Sequence, residues 1–172
     1  MFEVGDYLVY GLNGVCKVDA IGTMDIPGAP KDRLYYTLLP VYQAGCRLFT
    51  PVDNEKVVMR PVVTKDEAMD YIDHILETET LWITDEKRRE SMYKEVVKKC
   101  DPKEWIKIIK TLFLRKKARI EAGKKVTASD EKYLHIAEEN LYGEFAIALG
   151  MTKEETAKFV IDRVKNMEKE TV

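Results

Sequence analysis

The sequence has few cysteines and no long apolar run. Three cysteines, Cys16, Cys46 and Cys100, form an odd and widely spaced set without a CxxC pair. This spacing argues against a disulfide framework or a zinc site and predicts reduced, buried thiols. No apolar run approaches the roughly 20 residues of a membrane helix, and Met1 leads directly into strand-like sequence without a secretory signal. We therefore expect a cytoplasmic protein.

Signatures of catalysis are also absent. The sequence contains no P-loop, GxGxxG, HExxH or GxSxG pattern. Its two histidines, His74 and His135, lie on different predicted helices and outside any recognisable metal-ligand or triad pattern. The carboxylates are scattered along helix faces. We therefore expect no enzymatic activity, no cofactor and no metal.

The first 62 residues have the pattern of a small β domain. At 172 residues, 45% hydrophobic and 34% charged, the chain can form one medium domain or two small ones. Val4, Leu8 and Tyr10 share one parity, and the pairs Gly5-Asp6 and Asn13-Gly14 supply residues that tolerate positive φ in turns. Strands are predicted at residues 7–10, 15–23, 34–39, 47–51 and 56–59. Five short strands predict a Tudor-like or SH3-like barrel over residues 1–62.

After residue 62 the hydrophobic period becomes helical. Four predicted helix starts place an acceptor side chain at the entry and an acid three residues later, at Thr64, Asp101, Thr127 and Thr152. Pro102 suits a first helical position, and Gly123 and Gly150 suit helix ends. The predicted helices are 65–78, 85–100, 102–121, 128–149 and 153–169. The fold class is thus a two-domain α+β protein, with an all-α bundle of about five helices over residues 63–172.

The predicted helix at 102–121 is polarised. An apolar side is formed by Trp105, Ile108, Ile109 and Leu112, and a cationic side by Lys103, Lys107, Lys110 and Lys117. Between residues 103 and 125, nine lysines or arginines stand against two acids, an excess of +7 in a chain whose net charge is −2. Such a patch can bind phosphates without base-specific readout. The excess of positive charge is also explained if this side of the helix is simply solvated and the cations in its last turn complement the helix dipole.

Trp82 lies between the first two predicted helices, within an apolar Leu81-Trp82-Ile83 cluster. Trp82 or Ile83 could pack under the next helix as a hydrophobic staple. Alternatively, Trp82 is an exposed aromatic wedge that inserts at a base step in the minor groove. Trp105 differs, because its spacing to Ile108 predicts a core position.

Several motifs resemble those of the CarD/CdnL family of bacterial transcription regulators. They are the opening F-x-V-G-D-x-x-V-Y-G-x-N-G-V from Phe2, the F-T-P-V-D-N run at 49–54, L-F-L-R-K-K at 112–117 and A-E-E-N-L-Y-G-E-F-A at 137–146. The resemblance covers nearly the whole chain. The opening motif alone is also similar to the polymerase-interacting module of transcription-repair coupling factors, but the helical second half favours a stand-alone CarD-like protein.

The resemblance implies a two-part mechanism in transcription initiation. A Tudor-like domain would bind the RNA polymerase β subunit, and the helical domain would contact promoter DNA at the upstream edge of the transcription bubble, stabilising the open promoter complex. A tryptophan wedge in the family maps to Trp82, although an ungapped match would place it near Glu86. The implied DNA-binding residues are Trp82, Arg88, Arg89, Arg115, Lys117, Lys124 and Lys125. The implied polymerase-binding residues are Met24, Arg47 and Phe49.

Two alternative functions stay open at this point. The barrel and bundle could form an adaptor that binds only proteins, or an RNA-associated factor of the translation machinery. The short join between the halves allows a monomer or a domain-exchanged dimer. Neither the target promoters nor the choice between activation and repression follows from the residues.

Overall fold

The computed structural model describes residues 1–170. The chain divides into two compact units, Met1–Val62 and a second unit that begins at Val63. The first unit contains the strands and the second contains the α-helices. The predicted α+β fold class is therefore confirmed.

The first unit is one antiparallel sheet of five strands. They are β1 (Tyr7–Tyr10), β2 (Val15–Thr23), β3 (Leu34–Pro40), β4 (Leu48–Pro51) and β5 (Met59–Pro61), in the order β4-β3-β2-β1-β5. The first four lie within one residue of their predicted bounds. The fifth was predicted too early, at 56–59. The Asn54 side chain accepts a hydrogen bond from Lys56 N at 2.8 Å, which holds a turn there, and pairing with β1 begins only at Met59.

The connection between β1 and β2 is a short 3-10 turn, Gly11–Asn13, followed by Gly14. Asn13 does not adopt the positive φ that the sequence suggested. In the described part of the chain, Cys100 is the one non-glycine residue with positive φ. Instead Gly11 (φ +50°) and Gly14 (φ +76°) do. A Cβ on Gly11 would lie 2.8 Å from Val57 Cγ1, so this position has no room for a side chain.

The core of the sheet lies on one face. Its buried members are Leu8, Cys16, Val18, Tyr36 and Leu38. The Tyr36 hydroxyl accepts a hydrogen bond from Phe2 N at 2.9 Å, which ties the amino terminus to this core. Of the three residues predicted to share a parity, Leu8 is buried and Tyr10 packs against the core, whereas Val4 is exposed because β1 begins only at Tyr7.

The described part of the second unit, residues 63–170, contains five α-helices. They are α1 (Lys65–Asp73), α2 (Arg89–Lys98), α3 (Pro102–Glu121), α4 (Ala128–Leu149) and α5 (Lys153–Glu170). The first two are shorter than predicted, because residues 75–77 and 86–88 form separate 3-10 turns. The predicted capping residues accept hydrogen bonds from the first turns: Thr64 from Glu67 N, Asp101 from Lys103 N, Thr127 from Asp130 N and Thr152 from Glu155 N.

The helices enclose their own core, centred on Trp105, which is 0% exposed. Its indole Nε1 donates to Val97 O at 3.1 Å, so α3 is fastened to α2. At the start of this unit, Val63 N donates to the buried Glu144 carboxylate at 3.0 Å. None of the described helices combines the length and apolarity needed to cross a membrane.

All three cysteines are free thiols. Cys16 and Cys100 are buried, but Cys46 is partly exposed, unlike the prediction for all three. Burial, with a smaller contribution from nearby Cys46, raises the pKa of the Cys16 thiol to about 11. Cys16 is therefore an inert core residue at neutral pH.

Candidate functional site

Trp82 stands out as an exposed aromatic residue in the connection between α1 and α2. Its side chain is 86% exposed, whereas its neighbours Leu81 and Ile83 are half-buried. Alternation of this kind is expected where an extended segment lies along a packed surface. Trp82 is therefore not a hydrophobic staple, and its neighbours anchor the segment instead.

The segment 81–86, here called the Trp82 loop, is held at both ends by α3. Leu81 N donates to Thr111 Oγ1 at 2.9 Å, and the Glu86 carboxylate contacts the Arg115 guanidinium at 3.4 Å. Thr111 and Arg115 are one turn apart, a rise of about 6 Å. The five-residue step from 81 to 86 could span about 17 Å when extended. The loop is therefore not fully extended between its two attachments, and Trp82 directly follows the first of them.

An ionic network fixes the second end of the loop. Glu86 accepts hydrogen bonds from Arg89 at 2.8 and 2.9 Å, and Arg89 also donates to Tyr93 Oη at 2.9 Å. Arg115 Nε donates to the buried Asp130 carboxylate at 2.7 Å. The hydrogen bond from Arg89, with smaller effects of both arginine charges, lowers the pKa of Glu86 below its ordinary value. Glu86 is therefore ionised and bridges both arginines at neutral pH.

This network separates the predicted DNA-binding arginines into two classes. Arg89 and Arg115 are mostly buried and already paired with acids, so they position the loop. Arg88 is exposed, in the 3-10 turn that follows the loop directly. The structure thus brings Trp82 and Arg88 onto the same exposed connection. The contacts of Glu86 and Asp130 with Arg115 could not be found from sequence, because Arg115 is distant from both along the chain, whereas the i, i+3 spacing of Glu86 and Arg89 could have indicated their pairing.

The predicted cationic side of α3 is partly engaged within the second unit. Lys110 Nζ donates to the carbonyls of Ile75, Leu76 and Thr78 at 3.0, 3.1 and 2.5 Å. Burial lowers the pKa of Lys110. Lys107 is paired with Glu104 at 3.3 Å. These two lysines stabilise the second unit, whereas Lys103 and Lys117 of the same side are exposed.

The remaining predicted DNA-binding lysines lie near the carboxyl end of α3. Lys124 and Lys125 are exposed in the connection to α4, where Arg119 Nε donates to Lys125 O at 2.8 Å. Lys117 is exposed on α3 itself, six positions after Thr111 and so about 240° around the helix from it. Lys117 therefore faces a different side of α3 from the attachment of the Trp82 loop.

The predicted polymerase-binding residues of the first unit do not form one cluster. Arg47 and Phe49 share a parity at the edge strand β4 and are exposed, whereas Thr50 points into the core. Met24 follows Thr23, at the opposite end of the sheet. The pairs Thr23–Leu34 and Leu38–Leu48 are four residues apart along β3, about 13 Å. Arg47 and Phe49 thus form a surface without Met24.

Neither histidine belongs to a recognisable catalytic group. His74 is exposed, and its Nδ1 lies 2.8 Å from Asp70 O. His135 is exposed on α4. Within residues 1–170, no group of three or more His, Cys, Asp or Glu side chains is arranged to hold a metal ion.

Comparison with known families gives one match. Residues 2–63 match the family described as CarD-like/TRCF RID domain. The matched region coincides with the five-stranded first unit and includes β4 with Arg47 and Phe49. This family interacts with RNA polymerase, which assigns the chain a transcription-associated, polymerase-interacting role. The resemblance of the opening motif is confirmed: residues 2–63 are a CarD-like/TRCF RID domain, which supports a CarD-like family member.

Proposed function

We propose that the protein stabilises open promoter complexes. In this proposal the first unit binds the RNA polymerase β subunit, and the second contacts promoter DNA at the upstream edge of the transcription bubble without reading its sequence. The activity needs no catalytic group or cofactor and takes place in the bacterial cytoplasm. The single observation that carries the DNA-contacting part is the exposed Trp82, on a loop held at both ends by α3.

A fixed, exposed indole suits a junction between duplex and melted DNA. At such a junction a base step is already unstacked, so an aromatic side chain can cover the exposed base face at little additional cost. Because Thr111 and the Glu86 network already hold the loop, little conformational entropy is lost on binding. Trp82 would therefore slow re-annealing of the upstream edge.

Exposed cations would hold the DNA backbone around this wedge. Arg88 lies two residues after the Trp82 loop, and a second group of charges is provided by Lys124 and Lys125 in the α3–α4 connection and by Lys117 on α3. Contacts to phosphates position a protein on DNA but carry no sequence information. Arg89 and Arg115 contribute by holding the loop in place, since acids already neutralise them.

The edge strand β4 is the proposed polymerase-binding surface. An edge strand offers backbone donors and acceptors to which a strand of a partner can be added. Arg47 and Phe49, which point away from the core, would then determine specificity through their side chains. Met24, at the other end of the sheet, lies outside this surface.

Open-complex lifetime tests the proposal. With matched polymerase and a promoter fragment, the wild-type protein should lengthen the lifetime after competitor challenge, and Trp82→Ala should abolish this effect. Ile161→Ala, which truncates an exposed apolar side chain on α5, is the matched control and should behave as wild type. An undiminished lifetime with Trp82→Ala would refute the wedge.

A salt titration separates DNA binding from the protein-only adaptor. If Lys124 and Lys125 contact phosphates, replacing both with glutamine should reduce the slope of log affinity against log salt by roughly 1 to 2 for the polymerase-bound promoter. An unchanged slope would favour the adaptor, with the lysines merely solvated.

A further inference from the structure

The second half of α3 carries an apolar groove that is separate from Trp82, although one of its lining residues, Lys117, is also a proposed phosphate contact. It has a volume of about 320 Å³ and is lined by Phe113, Lys116, Lys117, Ile120 and Glu121. Its walls are nearly all apolar. Phe113 and Ile120 remain 61% and 59% exposed. Large apolar side chains grouped on a solvent-facing helix typically mark an interaction surface.

The groove is separate from the Trp82 loop. The α1–α2 connection contacts the first half of α3 through Lys110 and Thr111 and reaches Arg115. Phe113 lies about 200° around the helix from Thr111, and Ile120 about 180°. The connection and the groove thus lie on different sides of α3.

Nucleic acid is a poor occupant for this groove. A phosphate entering it would lose hydration to apolar walls that offer few hydrogen-bond donors, and loss of hydration by a charged group is costly. A second copy of the chain in a two-fold contact is also disfavoured. Such a contact places the same patch, in which Lys116 and Lys117 outnumber Glu121, on both sides, so positive charge is in excess across it.

We propose that the groove binds an acidic amphipathic helix of a partner protein. Phe113 and Ile120 are seven residues apart, a rise of about 10.5 Å, which matches two apolar anchors at i and i+7 of a docked helix. Lys116 and Lys117 lie along the same groove, and Lys124 and Lys125 follow beyond its end. These cations complement acids that flank the anchors. This binding does not involve Trp82, but it shares Lys117, Lys124 and Lys125 with the proposed phosphate contacts.

A designed peptide provides the probe. It is a labelled helix of about 18 residues with leucines at i, i+4, i+7 and i+11 and glutamates over most other positions, titrated with the full chain by fluorescence anisotropy. Wild type should bind the peptide saturably. The double variant Phe113→Ala/Ile120→Ala should bind it with an affinity at least about tenfold lower. A peptide with glutamine in place of glutamate should also bind about tenfold more weakly.

Leu114→Ala is the matched control, because Leu114 is on the same helix and similarly exposed but outside the groove. It and Trp82→Ala should bind the peptide as wild type does. The proposal is overturned if wild type does not bind, if Leu114→Ala weakens binding as much as the double variant, or if the glutamine peptide binds equally well. Sedimentation showing dimers that the double variant abolishes would assign the groove to a second copy instead.

Discussion

The two tryptophans of this protein have opposite surroundings. Trp105 lies in the first turn of α3, fully buried, with its Nε1 bonded to a carbonyl of α2. Trp82 lies in the preceding connection and is almost fully exposed, although Leu81 and Ile83 beside it are packed. The comparison shows that the second unit buries Trp105 where α2 and α3 meet. Trp82 stays outside the core because the residues beside it attach the loop to α3.

The largest expected effect is the difference in the free energy of unfolding between variants of Trp105 and of Trp82. Trp105→Ala should lower the free energy of unfolding by about 3–5 kcal/mol, because it leaves a cavity and removes a buried hydrogen bond. Trp82→Ala should change it by no more than about 0.5 kcal/mol, since an exposed side chain has little to lose. Urea unfolding followed by circular dichroism measures both. Equal losses would mean that Trp82 is packed in solution.

The buried end of the ionic network should have an intermediate effect. Asp130→Asn removes the charge that faces Arg115 Nε and should cost about 2 kcal/mol in urea unfolding. The partly exposed pair Lys153–Glu139 is the comparison, and Glu139→Gln should cost less than about 1 kcal/mol. If the two variants lose the same stability, Asp130 does not position the network that holds the Trp82 loop.

The smallest expected effect is the pH dependence of the exposed end of the network. Because the pKa of Glu86 is lowered in the folded state, its stabilising contribution is fully present above the ordinary glutamate value of 4.5. This contribution is lost as the pH falls through the lowered pKa. Glu86→Gln should therefore be less stable than wild type at pH 7, and the difference should shrink below pH 4.5.

Glu79, an exposed acid in the same α1–α2 connection as Glu86, is the control for the pH dependence of Glu86→Gln. Glu79→Gln should match wild type in urea unfolding at every pH, since Glu79 has no ion pair within residues 1–170. A difference for Glu86→Gln that stays constant with pH would show that its effect is not electrostatic.

Local sequence signals predicted the elements well where nearest neighbours determine them. The capping residues Thr64, Thr127 and Thr152 act within the first turn of their own helix, so their hydrogen bonds follow from spacing alone. The fifth strand was misplaced because its start depends on pairing with β1, which is distant in sequence.

The candidate site was less predictable. Arg115 and Lys110 looked like available cations in a list of residues, yet each has acceptors on another segment of the second unit, whereas Arg89 pairs with Glu86 only three residues away. Side chains as long as these reach partners that only packing brings close. The sequence identified Trp82 as a candidate residue, but it did not determine whether its side chain is packed or exposed.

The sequence by itself determined the order of strands and helices, the helix entries and the family of the first unit, since each depends on periodicity, local hydrogen bonds or a contiguous motif. Tertiary structure decided which charges remain exposed and which tryptophan is buried. The physical reason is that burial and ion pairing depend on segments distant along the chain: Glu86 meets Arg115, and Leu81 meets Thr111, only when the connection lies across α3.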